Sequence, residues 1–192
     1  SLRLQVWLEH ADNGRVAAST STLPDGSFKF RGLSSGKYRV FAQDFSGVYS
    51  GLDLGKLTVA NGRTSSFQRK VDLIERGFAV VETGFNGQLT ELPILLNRGK
   101  NYLIYAGGTE LRSKDLIVVS TAAGIVVKST GTPNVGYGDD LSVISFEAAP
   151  SETAAYGDYT LVVRGNDGGV QYLPGRLTVE SFSNPWVTAA FD

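Results

Sequence analysis

Residues 22–44 read TLPDGSFKFRGLSSGKYRVFAQD, and the stretch has two readings with different consequences. Gly32, Ser34 and Gly36 follow the order Gly-x-Ser-x-Gly, which is how the nucleophile turn of a serine hydrolase is written. That turn needs a strand before the serine and a helix after it, because the helix start helps to build the oxyanion hole. Here Gly36 is followed by KYRVFAQD, in which Tyr38, Val40 and Ala42 alternate with their neighbours at a period of two, so a strand follows. A serine nucleophile also needs a base, and the chain holds a single histidine, His10, at the end of another predicted strand. The stretch therefore reads as a hairpin. Asp25-Gly26 after Pro24 makes the first turn, Phe28 and Phe30 share one face, Ser27, Lys29 and Arg31 share the other, and the glycines support a second turn.

Working outward, Leu2, Leu4, Val6 and Leu8 alternate with Arg3, Gln5, Trp7 and Glu9 in a half-buried strand. ADNGR (11–15) turns the chain into the strand RVAASTST, and further strands are predicted near 54–59 and 65–73. Beyond 73–77 the pattern restarts as GFAVVET, LTELPILLN, KNYLIYAG, DLIVVS, GIVVKS, LSVISFEA, DYTLVVRG and GRLTVES, with turn residues between them. The one predicted helical turn is APSETAAYG (149–157), with Pro150 at its start and Gly157 at its end. The expected fold is all-β, two tandem β-sandwich domains over 1–74 and 75–192. The tail SFSNPWVTAAFD is expected to pack across the interface or to lead into a further domain.

Composition narrows the function classes. Of 192 residues, 42% are hydrophobic and 19% charged, which suits a folded chain, and 23 glycines suit many tight turns. A formal net charge of -1, with no long Lys/Arg cluster, argues against nucleic acid and anionic membrane as partners. No apolar run approaches the roughly 20 residues of a spanning helix. Without cysteine there is no disulfide framework, thiolate metal site or cysteine nucleophile. Neither GLSSGKY nor LDLGKLT has the glycine spacing and following Ser/Thr of a phosphate loop. The chain starts at Ser1 and lacks methionine, and is expected to be a mature product or a piece of a longer protein.

DGSFKFRGLSSGKYRVFAQD resembles the carboxypeptidase regulatory-like domain, a transthyretin-like β-sandwich, over residues 11–72. NRGKNYLIYAGG, GIVVKS and AAYGDYTLVVRGNDGGVQYLPGRLTVE resemble a bacterial immunoglobulin-like domain of IPT/TIG type over 78–180. These resemblances imply a modular protein of the cell surface, the periplasm or the medium. On that basis the expected role is a non-catalytic spacer or interaction module, whose partners are neighbouring domains and, in a binding role, protein or glycan. An accessory part of a secreted hydrolase is the remaining alternative.

Site candidates are few. Trp7 falls by alternation on the polar face with Arg3, Gln5 and Glu9, so something must cover it: the second domain, the tail with Trp186, or a ligand such as a sugar ring or a partner protein. Packing against the domain or tail is the favoured reading, and Trp7, Tyr137 and Trp186 are the candidate ligand contacts if it fails. Most other tyrosines read as core or corner residues, with Tyr159 facing inward beside Leu161 and Val163. Asp139, Asp140 and Asp167 lie in glycine-rich turns where aspartate is expected for backbone reasons; the missing 12-residue calcium-loop pattern argues against calcium there, and the sequence leaves the question open. No metal site, cofactor or catalytic residue is predicted.

Overall fold

The computed structural model describes residues 2–85, 88–112, 114–130 and 142–181. Among these the protein is all-β, and no helix long and apolar enough to cross a membrane occurs. The first four strands, β1 (Leu4–His10), β2 (Val16–Ser21), β3 (Gly36–Asp44) and β4 (Leu52–Val59), form one antiparallel sheet in the order β2-β1-β3-β4. Its inner face carries Val6, Leu8, Tyr38, Val40 and Ala42. Phe28, Phe30, Leu33 and Phe67 pack onto that face from the segments 22–35 and 60–73.

Those segments correct two strand assignments and the hairpin. Phe28 and Phe30 do share a side, at 5.9 Å between ring centroids, but residues 27–35 carry no strand pairing. Residues 65–73 likewise carry none. Both lie over the sheet as a cover, so only the second arm of the 22–44 stretch is a strand. Alternation reports which side of a segment is apolar, and a cover needs that as much as a ladder does.

The remaining strands are β5 (Ala79–Phe85), β6 (Gln88–Thr90), β7 (Ile94–Leu96), β8 (Tyr102–Thr109), β9 (Leu116–Ser120), β10 (Ile125–Ser129), β11 (Ser142–Pro150), β12 (Gly157–Gly165) and β13 (Val170–Val179). They form two sheets, β10-β11-β8-β5-β6 and β7-β13-β12-β9, packed face to face on a core that includes Leu96, Ile104, Phe146, Leu161 and Leu177. β5 pairs antiparallel with β8 in one sheet, whereas β7 pairs parallel with β13 in the other, so the chain's entry switches sheets as in an immunoglobulin-type sandwich. The predicted helical turn is a plain turn: 149 and 150 belong to β11, and the Ala154 N–H donates to the Ser151 carbonyl (3.1 Å).

One local device occurs in both parts. The Tyr38 hydroxyl donates to the Ser34 carbonyl (2.7 Å), and the Tyr159 hydroxyl donates to the Ala155 carbonyl (2.6 Å). Each tyrosine lies two residues after a glycine that opens a strand, and each hydroxyl reaches four residues back. A buried ring is thereby satisfied at its polar end while the incoming loop is fixed. Ser34, the would-be nucleophile, thus supplies a carbonyl to a tyrosine corner.

Candidate functional site: the seam between sheet and sandwich

Four strands are apolar on both faces, and this builds the most elaborate interior outside the two cores. In β12, Tyr159, Leu161 and Val163 point into the sandwich core while Val162 and Thr160 point away from it. In β13, Leu173 and Leu177 point in while Val170 and Tyr172 point away. β1 and β3 do the same, turning Trp7, Glu9, Phe41 and Gln43 away from the inner face. The outward sets meet. Trp7 is 0% exposed, stacks on its cross-strand neighbour Phe41 (5.4 Å, 14°) and meets Tyr172 edge-on (5.6 Å, 66°), with Val162 completing the cluster.

Three polar side chains stitch this apolar contact. Gln43 behaves as a strand edge: its amide donates to the Tyr172 carbonyl (3.0 Å) and accepts from the Tyr172 N–H (2.8 Å). Arg76, buried where residues 73–77 run beside the 47–50 turn, donates to four carbonyls, those of Phe78 (2.6 Å), Gly47 (2.6 Å), Tyr49 (3.1 Å) and Val170 (3.4 Å). A planar guanidinium with five N–H groups can serve several acceptors at once, which an ammonium cannot do in fixed geometry. Burial lowers its pKa, while the Asp44 carboxylate acts in the opposite direction. Asp44 in turn accepts from the Ser46 hydroxyl and from the Val48 and Tyr49 N–H groups, holding the turn that Arg76 grips. The close approach also requires Gly51, where a Cβ would stand 2.2 Å from the Tyr172 ring.

Glu9 is the third. Fully buried beneath Trp7, its Oε1 accepts from the Trp7 indole N–H (3.2 Å) and from the Thr160 hydroxyl of β12, while Oε2 has no hydrogen-bond partner. Burial pushes the carboxyl above the usual carboxylate range; Thr160, the nearby Thr121 hydroxyl, Trp7 and the Arg39 charge pull it back only in part. Arg39 is itself engaged by Asp53 (3.0 Å). Because the folded pKa lies above the unfolded one, the folded protein holds more protons than the unfolded chain between the two values. The contribution to stability is complete below the ordinary carboxylate pKa and is lost as pH rises through the folded pKa. Glu9→Gln is therefore expected to flatten the fall in denaturation midpoint above mildly acidic pH and to raise the midpoint at neutral pH, because it removes the buried charge while keeping an oxygen to accept from Trp7 and Thr160. Parallel midpoint-against-pH curves for the two proteins would refute this role.

The predicted site residues separate clearly. Trp7 is covered by the C-terminal sandwich, the packing the sequence reading favoured, so its candidacy as a ligand contact is corrected: neither ring face is open. Tyr137, Trp186, Asp139 and Asp140 lie outside the described residues. Asp167 caps its own turn, accepting from the Gly169 N–H (2.8 Å). It lines an open pocket of about 220 Å³ with Glu110, Arg112 and Asp115, in which Glu110 is paired with Arg112 (3.0 Å) and Asp115 with the Asn166 amide (3.1 Å). Among the described residues no three His, Cys, Asp or Glu side chains converge as metal ligands, and His10 rests against Tyr38 (5.2 Å). Sequence reasoning missed Phe41, whose outward position follows from the same alternation that singled out Trp7. Tyr172 raised the same question in the sequence more weakly, and it alternates outward between Gln171 and Leu173. Gln43 and Arg76 carry no signal in the sequence, since all their partners but the Phe78 carbonyl are backbone atoms far along the chain.

No family model matches the chain, and no curated protein matches its sequence. Several solved structures match the chain, including two at low identity. Domains 4 and 5 of the S-layer protein SbsC align over 77% of this chain and 66% of that one, at 12% identity and a TM-score of 0.34. The BIgI domain of beta protein from S. agalactiae, solved bound to CEACAM1, aligns over 47% of this chain and 91% of that one, at 13% identity and a TM-score of 0.26. The chain spans just under two thirds of the SbsC structure's length.

Proposed function

We propose that this chain is a non-catalytic spacer module, in which residues 1–74 and 75–192 act as one rigid body that holds adjoining parts of a secreted or cell-surface protein at a set distance and angle. The observation that carries the reading is the seam. Two units joined by a loose linker move independently by default, and a buried aromatic cluster stitched by hydrogen bonds removes that freedom. Trp7, Phe41, Tyr172 and Val162 supply the apolar contact, and Gln43 and Arg76 fix its register. The rigid spacer is favoured over the glycan- or protein-binding module because the aromatic that prompted the binding reading is spent in the seam.

The absence of cysteine makes the test clean, since two introduced cysteines are the sole labelling sites. Spin labels at Lys29→Cys on the N-terminal cover and Lys128→Cys on the far sheet of the sandwich are expected to give one narrow distance distribution. A broad or bimodal distribution would sink the spacer reading, and binding screens against glycans and surface proteins would then take priority.

A further inference from the structure

The chain contains three Asn-Gly steps, at 13–14, 61–62 and 86–87, of which the first two lie among the described residues. Asn-Gly is a chemically labile pair. The backbone nitrogen of the glycine can attack the asparagine Cγ, expelling the side-chain nitrogen as ammonia and closing a succinimide; water then opens the ring to aspartate or isoaspartate. The reaction needs water alone and no redox partner. It does need an asparagine side chain free to swing onto the backbone, and a glycine N–H that is not committed elsewhere.

The two described steps differ on each count. Asn13 Oδ1 accepts from the Arg15 N–H (2.9 Å), and the Gly14 N–H donates to the His10 carbonyl (2.8 Å). Gly14 is also wedged against the sandwich, where a Cβ would stand 2.6 Å from Ala122. Asn61 and Gly62 occupy the middle of an exposed turn closed by the Arg63 N–H to the Ala60 carbonyl (3.2 Å). Neither the Asn61 amide nor the Gly62 N–H has a hydrogen-bond partner among the described residues, and nothing lies within 4 Å of the Cβ position at Gly62. We propose that Asn61 is a site of spontaneous deamidation in the folded protein and that Asn13 is protected by the seam. Conversion adds one negative charge, and as isoaspartate one extra backbone atom, at the point where the chain leaves β4 to cover the inner face of the sheet.

Trypsin separates the two steps into different peptides, residues 4–15 and 57–63. The native protein, incubated in warm, mildly alkaline buffer and sampled over time, is expected to show amide-to-acid conversion in the 57–63 peptide at least about ten-fold faster than in the 4–15 peptide, because Asn13 reacts only from a locally opened state. In urea the two rates are expected to converge. In Asn61→Ser the acidic isoform assigned to this site, followed by isoelectric focusing, is expected to vanish. Equal native rates at Asn13 and Asn61 would overturn the proposal, as would an acidic isoform undiminished in Asn61→Ser.

Discussion

Trp7→Ala is expected to lower the unfolding free energy by about 3–5 kcal/mol, the loss typical of a truncated core aromatic. For a chain of this size that corresponds to a drop of roughly 6–20 °C in melting temperature. The cost has three parts that act together. The indole is fully buried, so the whole transfer energy of its surface is at stake. Phe41 and Tyr172 each lose a ring partner, at 5.4 and 5.6 Å. The Glu9 Oε1 loses one of its two donors, leaving a carboxylate that already has an unpaired oxygen still less satisfied. Denaturant midpoints read by far-UV circular dichroism test this without interference from Trp186. An unchanged midpoint would mean that the indole is not buried in solution, and would restore it as a ligand contact. Trp7→Phe separates the parts: it keeps most of the apolar area and loses the indole donor, so its loss is expected to be smaller.

Arg76→Ala is expected to cost roughly 3 kcal/mol through a different mechanism. The guanidinium lies over the Phe78 ring (5.5 Å), and it satisfies buried and part-buried carbonyls that have few other donors. The Val170 carbonyl keeps a second donor in the Gly51 N–H (2.8 Å). Those of Gly47, Tyr49 and Phe78 are left short of one, at about 1–3 kcal/mol for each buried group that finds no water. The break is local, so it is expected to appear as faster amide exchange at Val48, Gly51 and Val170 before it appears in global unfolding. Arg76→Lys is expected to recover less than half of the loss, because a single ammonium cannot face four acceptors in a fixed fork. If Arg76→Ala left both stability and exchange unchanged, the turn would be held by Asp44 alone.

The two variants probe the same seam from its apolar and its polar side, and the sequence announced only the apolar one. Trp7 stood out because a large aromatic broke the alternation of β1. Phe41 broke the alternation of β3 in the same way and is its direct cross-strand partner. Two such breaks on neighbouring strands mark a sheet buried on both faces, a sign present in the residues themselves. Arg76 and Gln43 leave no such mark. An arginine or a glutamine in a turn-rich sequence reads as a solvated side chain until the carbonyls and amides it meets have been brought to it by the fold.

The residues by themselves determined the all-β class, most turn positions, the inward sets of β1, β3 and β12 and the failure of Gly32-x-Ser34-x-Gly36 as a nucleophile turn, because period, turn chemistry and the order strand-after-serine are local properties of the chain. Tertiary structure alone decided that residues 22–35 and 60–73 cover the sheet instead of extending it, that the outward faces of β1, β3, β12 and β13 meet, and that Glu9 is buried between them with one oxygen unpaired. The reason is physical: alternation tells a segment which side must leave water, but what takes the water's place is set by contacts between segments as far apart as Glu9 and Thr160, and no short-range pattern encodes those.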